Sequence, residues 1–316
     1  MRSVRRYQKI LLCVGLVLAS FSGCSINKMA MRMKPDTVAS VIPNVIKKSE
    51  AKLAKNPADQ ELLLSTGSLL VMYANAFVQG PAEMLPPERF TKRREELEKA
   101  KKLYLRGTEI LTSALEQKYP GFGEASTNRA TLEQFLEQHT VKDDVPLLYW
   151  LVAGTLAAYA LDPMDLALGF KIPALTALIN RAYALDPDFN NGAIDDFFVL
   201  FYASLPESLG GDKSKVDFHF KLALEKSAGL TIGPYVSYAQ AISIPTQDYE
   251  TFKTYLETAL AFKVNAPENR DNRLVNTISQ RKARYLYHRA AHYFPELEES
   301  EWEEYEEESD ESWDDD

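Results

Sequence analysis

From Val45 onward, apolar residues recur at three- and four-residue spacing over helix-length windows. Short stretches rich in Pro, Gly or Asn interrupt them. No run alternates apolar and polar residues between Asn-Gly or Asp-Gly turns, so the pattern predicts an all-α fold. Val45–Ala54 gives a short first helix stopped at Asn56-Pro57, and residues 24–43 read as a tether leading into the body. Residues 44–295 read as one helical domain.

The clearest unit runs from Val145 to Phe189. Trp150, Ala153 and Gly154 follow the start of a tetratricopeptide (TPR) repeat, W-x2-L-G, with Ala153 in the Leu slot. Ala182-Tyr183-Ala184-Leu185-Asp186-Pro187 follows its close, which places Leu175, Ile179 and Ala182 at packing positions of the second helix. A small residue on the first helix lets the second approach closely, and the proline opens the next unit. Trp150 and Leu175 stand 25 residues apart, where the repeat has about 16. The surplus around Leu161–Asp165 therefore lengthens the helices or the turn. Weaker copies flank this unit. One starts at Leu63 and Gly67, continues in a helix bearing Gly107, Leu111 and Ala114, and stops near Pro120-Gly121. Another runs from Asp195 through Leu209-Gly210-Gly211-Asp212, with Asp212 an N-cap and Val216, Phe220 and Ala223 in phase. A fourth spans Tyr235 to Phe262 with Phe252, Leu256 and Ala259 in phase, and Glu268–Phe294 reads as one long amphipathic cap. The expected architecture is a superhelix of cryptic TPR-like helix–turn–helix repeats with a C-terminal capping helix. Leu69–Arg89 breaks the pattern: an apolar helix end meets Gly80-Pro81, expected to terminate it, and then Pro86-Pro87.

Charge changes the picture at the two ends. The net charge is −9, but residues 1–23 hold four basic residues and no acid, whereas 296–316 hold 14 acids and no base. The body between them is nearly neutral, which excludes the basic excess that a nucleic-acid binder needs. Dense like charge makes 296–316 an expected disordered tail. The basic start and the ten-residue apolar stretch Ile10–Ala19 form a secretory signal, too short to span a bilayer. Phe21-Ser22-Gly23-Cys24 resembles a bacterial lipobox, with Phe21 where Leu is usual, so residues 1–23 are expected to be removed and Cys24 lipidated. Cys13 and Cys24 being the two cysteines, the mature chain would carry neither thiol nor disulfide. Its membrane contact would be the lipid anchor alone.

Catalytic signatures are missing: there is no G-x-S-x-G, H-E-x-x-H or G-x-G-x-x-G. Gly210-Gly211-Asp212-Lys213-Ser214 lacks the P-loop frame and reads as a helix–helix turn. His288 and His292, spaced i, i+4, have no further ligands at motif spacing and read as exposed cap-helix residues. The expectation is no enzyme, no metal and no cofactor. Aromatic residues are plentiful, with 16 Tyr, 15 Phe and 3 Trp, densest at Asp195–Tyr202. Most must pack between helices, leaving Phe198 and Tyr202 as candidates to line a ligand pocket.

Val71–Leu85 (VMYANAFVQGPAEML), followed by Ala100–Gly107 (AKKLYLRG), resembles the TatT family, the T components of TPR-associated tripartite ATP-independent periplasmic (TRAP) transporters. The lipobox and Ser25–Ala30 fit the same family, and the likeness covers nearly all of 24–295. The resemblance implies an all-helical periplasmic lipoprotein that forms a homotrimer, with a pore through each protomer. It implies partnership with the transporter's periplasmic substrate-binding protein and a small hydrophobic organic ligand; aromatic lining would suit an apolar or carboxylate-bearing one. Tyr73 and Phe77 share one helix face, Asn75 and Gln79 another. Either Asn75 and Gln79 tie down the loop Pro81–Pro87, or with Tyr73 they line the pore or face the partner. The rival reading is a TPR scaffold gripping peptides in envelope assembly.

Overall fold

The computed structural model describes residues 31–205 and 207–295, and among them every regular element is helical. Cys24, the signal segment and the acidic tail lie outside the described residues. Helix α1 spans Pro35–Leu53, ten residues earlier than the pattern predicted. Pro35 stands in its first turn, where the missing N–H costs nothing, and Asp36 complements the helix dipole. Val38, Ile42 and Ile46 form its buried stripe. Pro43, at the end of the expected tether, is exposed within this helix, so the hydrogen bond it removes is lost on the solvent side. The stretch read as tether up to residue 43 is thus core helix from Pro35.

Helix α2 occupies Gln60–Glu83. Asp59 caps it, its carboxylate accepting from the Leu62 N–H at 2.9 Å. The helix does not end at Gly80-Pro81. A π-turn over Asn75–Gln79, closed by the Gly80 N–H on the Asn75 carbonyl, leads into a further helical turn at Gly80–Glu83. The wide turn shifts the register so that Pro81 follows without breaking the rod. The same device recurs at Ala239–Ser243, followed by Ile244-Pro245. Helix α3, Phe90–Lys118, crosses α2 at two facing glycines. A Cβ on Gly67 would lie 2.6 Å from Leu111 Cγ, and one on Gly107 would lie 2.9 Å from the Gly67 carbonyl oxygen.

Helices α4 (Arg129–His139), α5 (Val145–Leu161) and α6 (Ile172–Leu185) follow. α5 packs on α6, as the sequence paired them, and also on α2 and α3. Gly154 serves the second contact: a Cβ there would meet Val71 and Thr108 side chains at 2.7 Å. Its small size therefore admits the preceding pair of helices rather than the second helix of its own unit. The surplus residues between α5 and α6 form a loop with a short helix at Leu166–Gly169, capped by Asp165. Lys101 holds this loop through Asp162 at 2.8 Å and Asp165 at 2.9 Å. By length and apolar composition Gln60–Glu83 and Lys142–Leu161 could cross a membrane, yet here they are central packing helices.

Helices α7 (Ala193–Ser204) and α8 (Val216–Ser227) are joined by a turn in which Gly210 takes φ +103° and Asp212 caps Ser214. Then come α9 (Gly233–Tyr238, running through its π-turn to Thr246) and α10 (Tyr249–Leu260). The expected single cap is broken into a 3-10 turn at Pro267–Asn272, helix α11 at Arg273–Tyr287 and a short helix at Ala290–Tyr293. His288 and His292 therefore do not share a helix.

α11 is more than an end cap. Leu274 is buried with Val38, Ile42, Ile46 and Leu70, and Arg281 grips both Asp36 oxygens at 3.0 Å. Arg32 reaches Asp271 at 2.6 Å, and the Tyr285 hydroxyl donates to the Glu83 carbonyl at 3.3 Å. The last long helix thus closes onto the first two.

Candidate functional site

The residues singled out at the end of α2 separate by role. Tyr73 and Phe77 stack at 6.0 Å and pack into the cluster that holds α1. Gln79 accepts from the Tyr104 hydroxyl at 2.6 Å and donates to Glu83 at 2.7 Å. Burial, together with the Glu83 charge, holds the Tyr104 phenol well above its usual pKa, while a bond from Asn75 opposes this. Gln79 therefore ties the π-turn to α3. Asn75 is exposed apart from that bond.

Phe198 and Tyr202 sit elsewhere and do not meet the first group. Phe198 is 2% exposed and is core. Tyr202 stacks on Phe198 at 5.2 Å and on His219 at 5.4 Å, with the Lys215 ammonium 5.1 Å from its ring centre. Beneath them Asp195, fully buried, accepts from His219 Nδ1 at 2.8 Å, Lys226 Nζ at 2.7 Å and the Tyr183 hydroxyl at 3.1 Å. Burial pushes this carboxyl up, but the bonds from His219 and Lys226 outweigh it and hold it below its ordinary value.

Asp196, the next residue, points the other way round the helix. It bonds Ser237 of α9, and a Cβ on Gly233 would lie 3.4 Å from its Oδ2 and 3.9 Å from Ser279 Oγ of α11. Tyr149 of α5 senses the Asp196 charge and leans on Trp150 at 5.3 Å, Phe189 at 5.3 Å and Phe197 at 6.2 Å. Tyr149, Asp196, Phe197, Ser237 and Ser279 all keep partial solvent access. They are nonetheless enclosed deeply enough that burial raises the Tyr149 phenol and lifts the Asp196 carboxyl to about 6. Asp196 Oδ1 is buried without a hydrogen-bond partner. Helices α5, α7, α9 and α11 thus come together around Asp196, with aromatic rings from the first two and hydroxyls from the last two. The sequence pattern conceals it. Asp195-Asp196 at the head of an apolar helix reads as ordinary first-turn acid favoured by the dipole, and Tyr149 hides beside the repeat-like Trp150.

The environment of Asp196 gives a pH signature. Its folded pKa is raised above the unfolded value of about 3.9, so the stability that Asp196 contributes is greatest at low pH and is lost as pH rises through about 6. Asp196→Asn should leave stability unchanged at pH 4 and raise it by up to about 3 kcal/mol at pH 8. Thermal melts of both proteins at the two pH values check this, and equal gains at both would contradict it.

Among the described residues no group of His, Cys, Asp or Glu is arranged to hold a metal ion. Helices packed in succession, the last long one closing onto the first two, define an all-α protein. The chain belongs to the TRAP transporter T-component family, whose sequence profile matches residues 33–294. An uncharacterized protein of Treponema pallidum (strain Nichols) is 37% identical over 253 residues, covering 79% of this chain and 77% of that protein.

Proposed function

We propose that this T component is a periplasmic lipoprotein, anchored through Cys24, whose TPR-derived helix pairs assemble as a homotrimer and dock the substrate-binding protein of their transporter. It performs no catalysis; each protomer holds or passes a small hydrophobic ligand through a pore walled by α5, α7, α9 and α11. The observation that carries the ligand reading is the setting of Asp196: Tyr149, Phe197 and Asp196 are enclosed yet still reachable by solvent. Apolar walls with one polar group match the composition of small-molecule sites. Burial and the Ser237 bond alone set the Asp196 pKa, with no cationic contribution. This favours a hydrophobic ligand that is neutral or donates a hydrogen bond over a carboxylate-bearing one, which Asp196 would repel once ionised.

The neutral dye Nile red tests the site. Tyr149→Ala with Phe197→Ala should weaken its binding at least fivefold, in protein shown by circular dichroism to remain folded. Phe90→Ala, which removes an exposed outer aromatic, should change binding less than twofold. The reverse ranking would place the apolar site on the outside and sink this reading.

A further inference from the structure

The start of α3 carries charge that its own helix disfavours. Phe90-Thr91-Lys92-Arg93-Arg94 follows Arg89 at the N-cap, with no side-chain cap and no acid in the first turn. Cations there oppose the partial positive charge of the helix N-terminus. Lys92, Arg93 and Arg94 are exposed and form no ion pair with any described residue, and the Arg94 guanidinium instead lies 5.8 Å from the Phe90 ring centre. Phe90, Arg93 and Arg94 line a groove of about 400 Å³ together with Leu97, Lys101 and Leu161, and Glu98 and Asp162 stand on its wall. Lys101 also binds Asp165, which sets the inter-helix loop alongside. That loop exposes Met164 at 84%, Leu166 at 69% and Phe170 at 83%, and Phe90 of α3 is itself 64% exposed. Lys101 is taken up by Asp162 and Asp165, so the cations of the groove left without an ion pair are Arg93 and Arg94, beside the exposed Phe90.

The same chain carries the complement. Residues 296–316 hold 14 acids and no base, interleaved with Trp302, Tyr305 and Trp313. Arginine pairs carboxylates in bidentate fashion and stacks on Trp and Tyr rings, so one segment can both satisfy Arg93 and Arg94 and cover Phe90. Reach is no obstacle: 21 residues extend to about 70 Å. The segment follows α11, whose Tyr285 already touches Glu83 shortly before α3 begins. The family match ends at residue 294, so this partner is outside what the family shares. We propose that residues 296–316 dock in cis on the Phe90–Arg93–Arg94 groove, pairing their carboxylates with Arg93 and Arg94 and covering Phe90. The proposal does not depend on the ligand or transport reading above.

The test uses the full chain and endoproteinase Glu-C, which cuts after glutamate, following the rate at which the tail is removed. Docking predicts slow cleavage that Arg93→Glu with Arg94→Glu accelerates at least fivefold and Phe90→Ala at least threefold. Raising salt from 50 to 300 mM should accelerate the parent as the charge reversal does. Lys47→Glu with Lys48→Glu, a reversal at exposed lysines of α1, should stay within twofold. The protection should hold constant over a hundredfold range of protein concentration, as an intramolecular contact requires. Equal cleavage rates in the parent and the Arg93/Arg94 variant would overturn the proposal. Protection that grows with concentration would assign the groove to another copy. An unchanged cleavage rate with a fall in oligomer mass by light scattering would make the groove an interface between copies. Either result overturns docking in cis.

Discussion

Asp195→Ala is expected to destabilise the fold by about 3–5 kcal/mol, because it removes the carboxylate from a buried pair and strands its partners. Asp195 is fully buried, and His219 and Lys226 are 7% and 16% exposed, so neither cation regains much water when the carboxylate is lost. Tyr183 loses its acceptor in the same step. Urea unfolding at pH 7 measures the loss, and a change below about 1 kcal/mol would show that the cluster contributes no net stability. The pH dependence runs opposite to that of Asp196. The folded pKa of Asp195 is depressed, so its stabilisation is present above the unfolded value and disappears as pH falls through the folded one. Adjacent carboxylates thus carry linkages of opposite sign because one faces a cation cluster and the other an aromatic wall.

Gly154→Leu is the second large loss, about 1–3 kcal/mol or more from overpacking. The added Cβ alone would stand 2.7 Å from Val71 and Thr108, on two different helices, so no single side chain can move aside to admit it. Gly154→Ala should fall between the two proteins, since the alanine gains helix propensity while meeting the same contact. A thermal shift under a degree for the leucine variant would mean that α5 does not cross α2 and α3 here.

Much of the helical order was legible in the sequence, and the failures have identifiable causes. Asp212 marks a helix start through its side-chain cap, and Phe252, Leu256 and Ala259 fall on one buried stripe. The facing glycines of α2 and α3 lie in the unit that Gly67 and Gly107 suggested. Proline marked two false ends. Pro43 lies within α1 on its wet side, and Pro81 follows a π-turn, a register change with no composition of its own, as Pro245 also does. The contacts of Gly154 with the preceding unit and the closure of α11 on α1 are long-range, so no local spacing encodes them. The site followed the same division. Tyr73, Phe77 and Phe198 are packing residues and Gln79 is a tie, whereas the enclosed face is assembled from α5, α7, α9 and α11, separated widely along the chain.

Whether the chain works as a transport subunit is tested most directly by its association with the substrate-binding protein of its own TRAP system. The unanchored Cys24→Ser protein, starting at residue 24, would be run by size exclusion with light scattering, alone and mixed with that binding protein. The predicted result is a mass three times that of one chain, moving on mixing to a larger complex that contains both proteins. A chain that stays monomeric and elutes unchanged beside a hundred-micromolar excess of the binding protein would contradict the account.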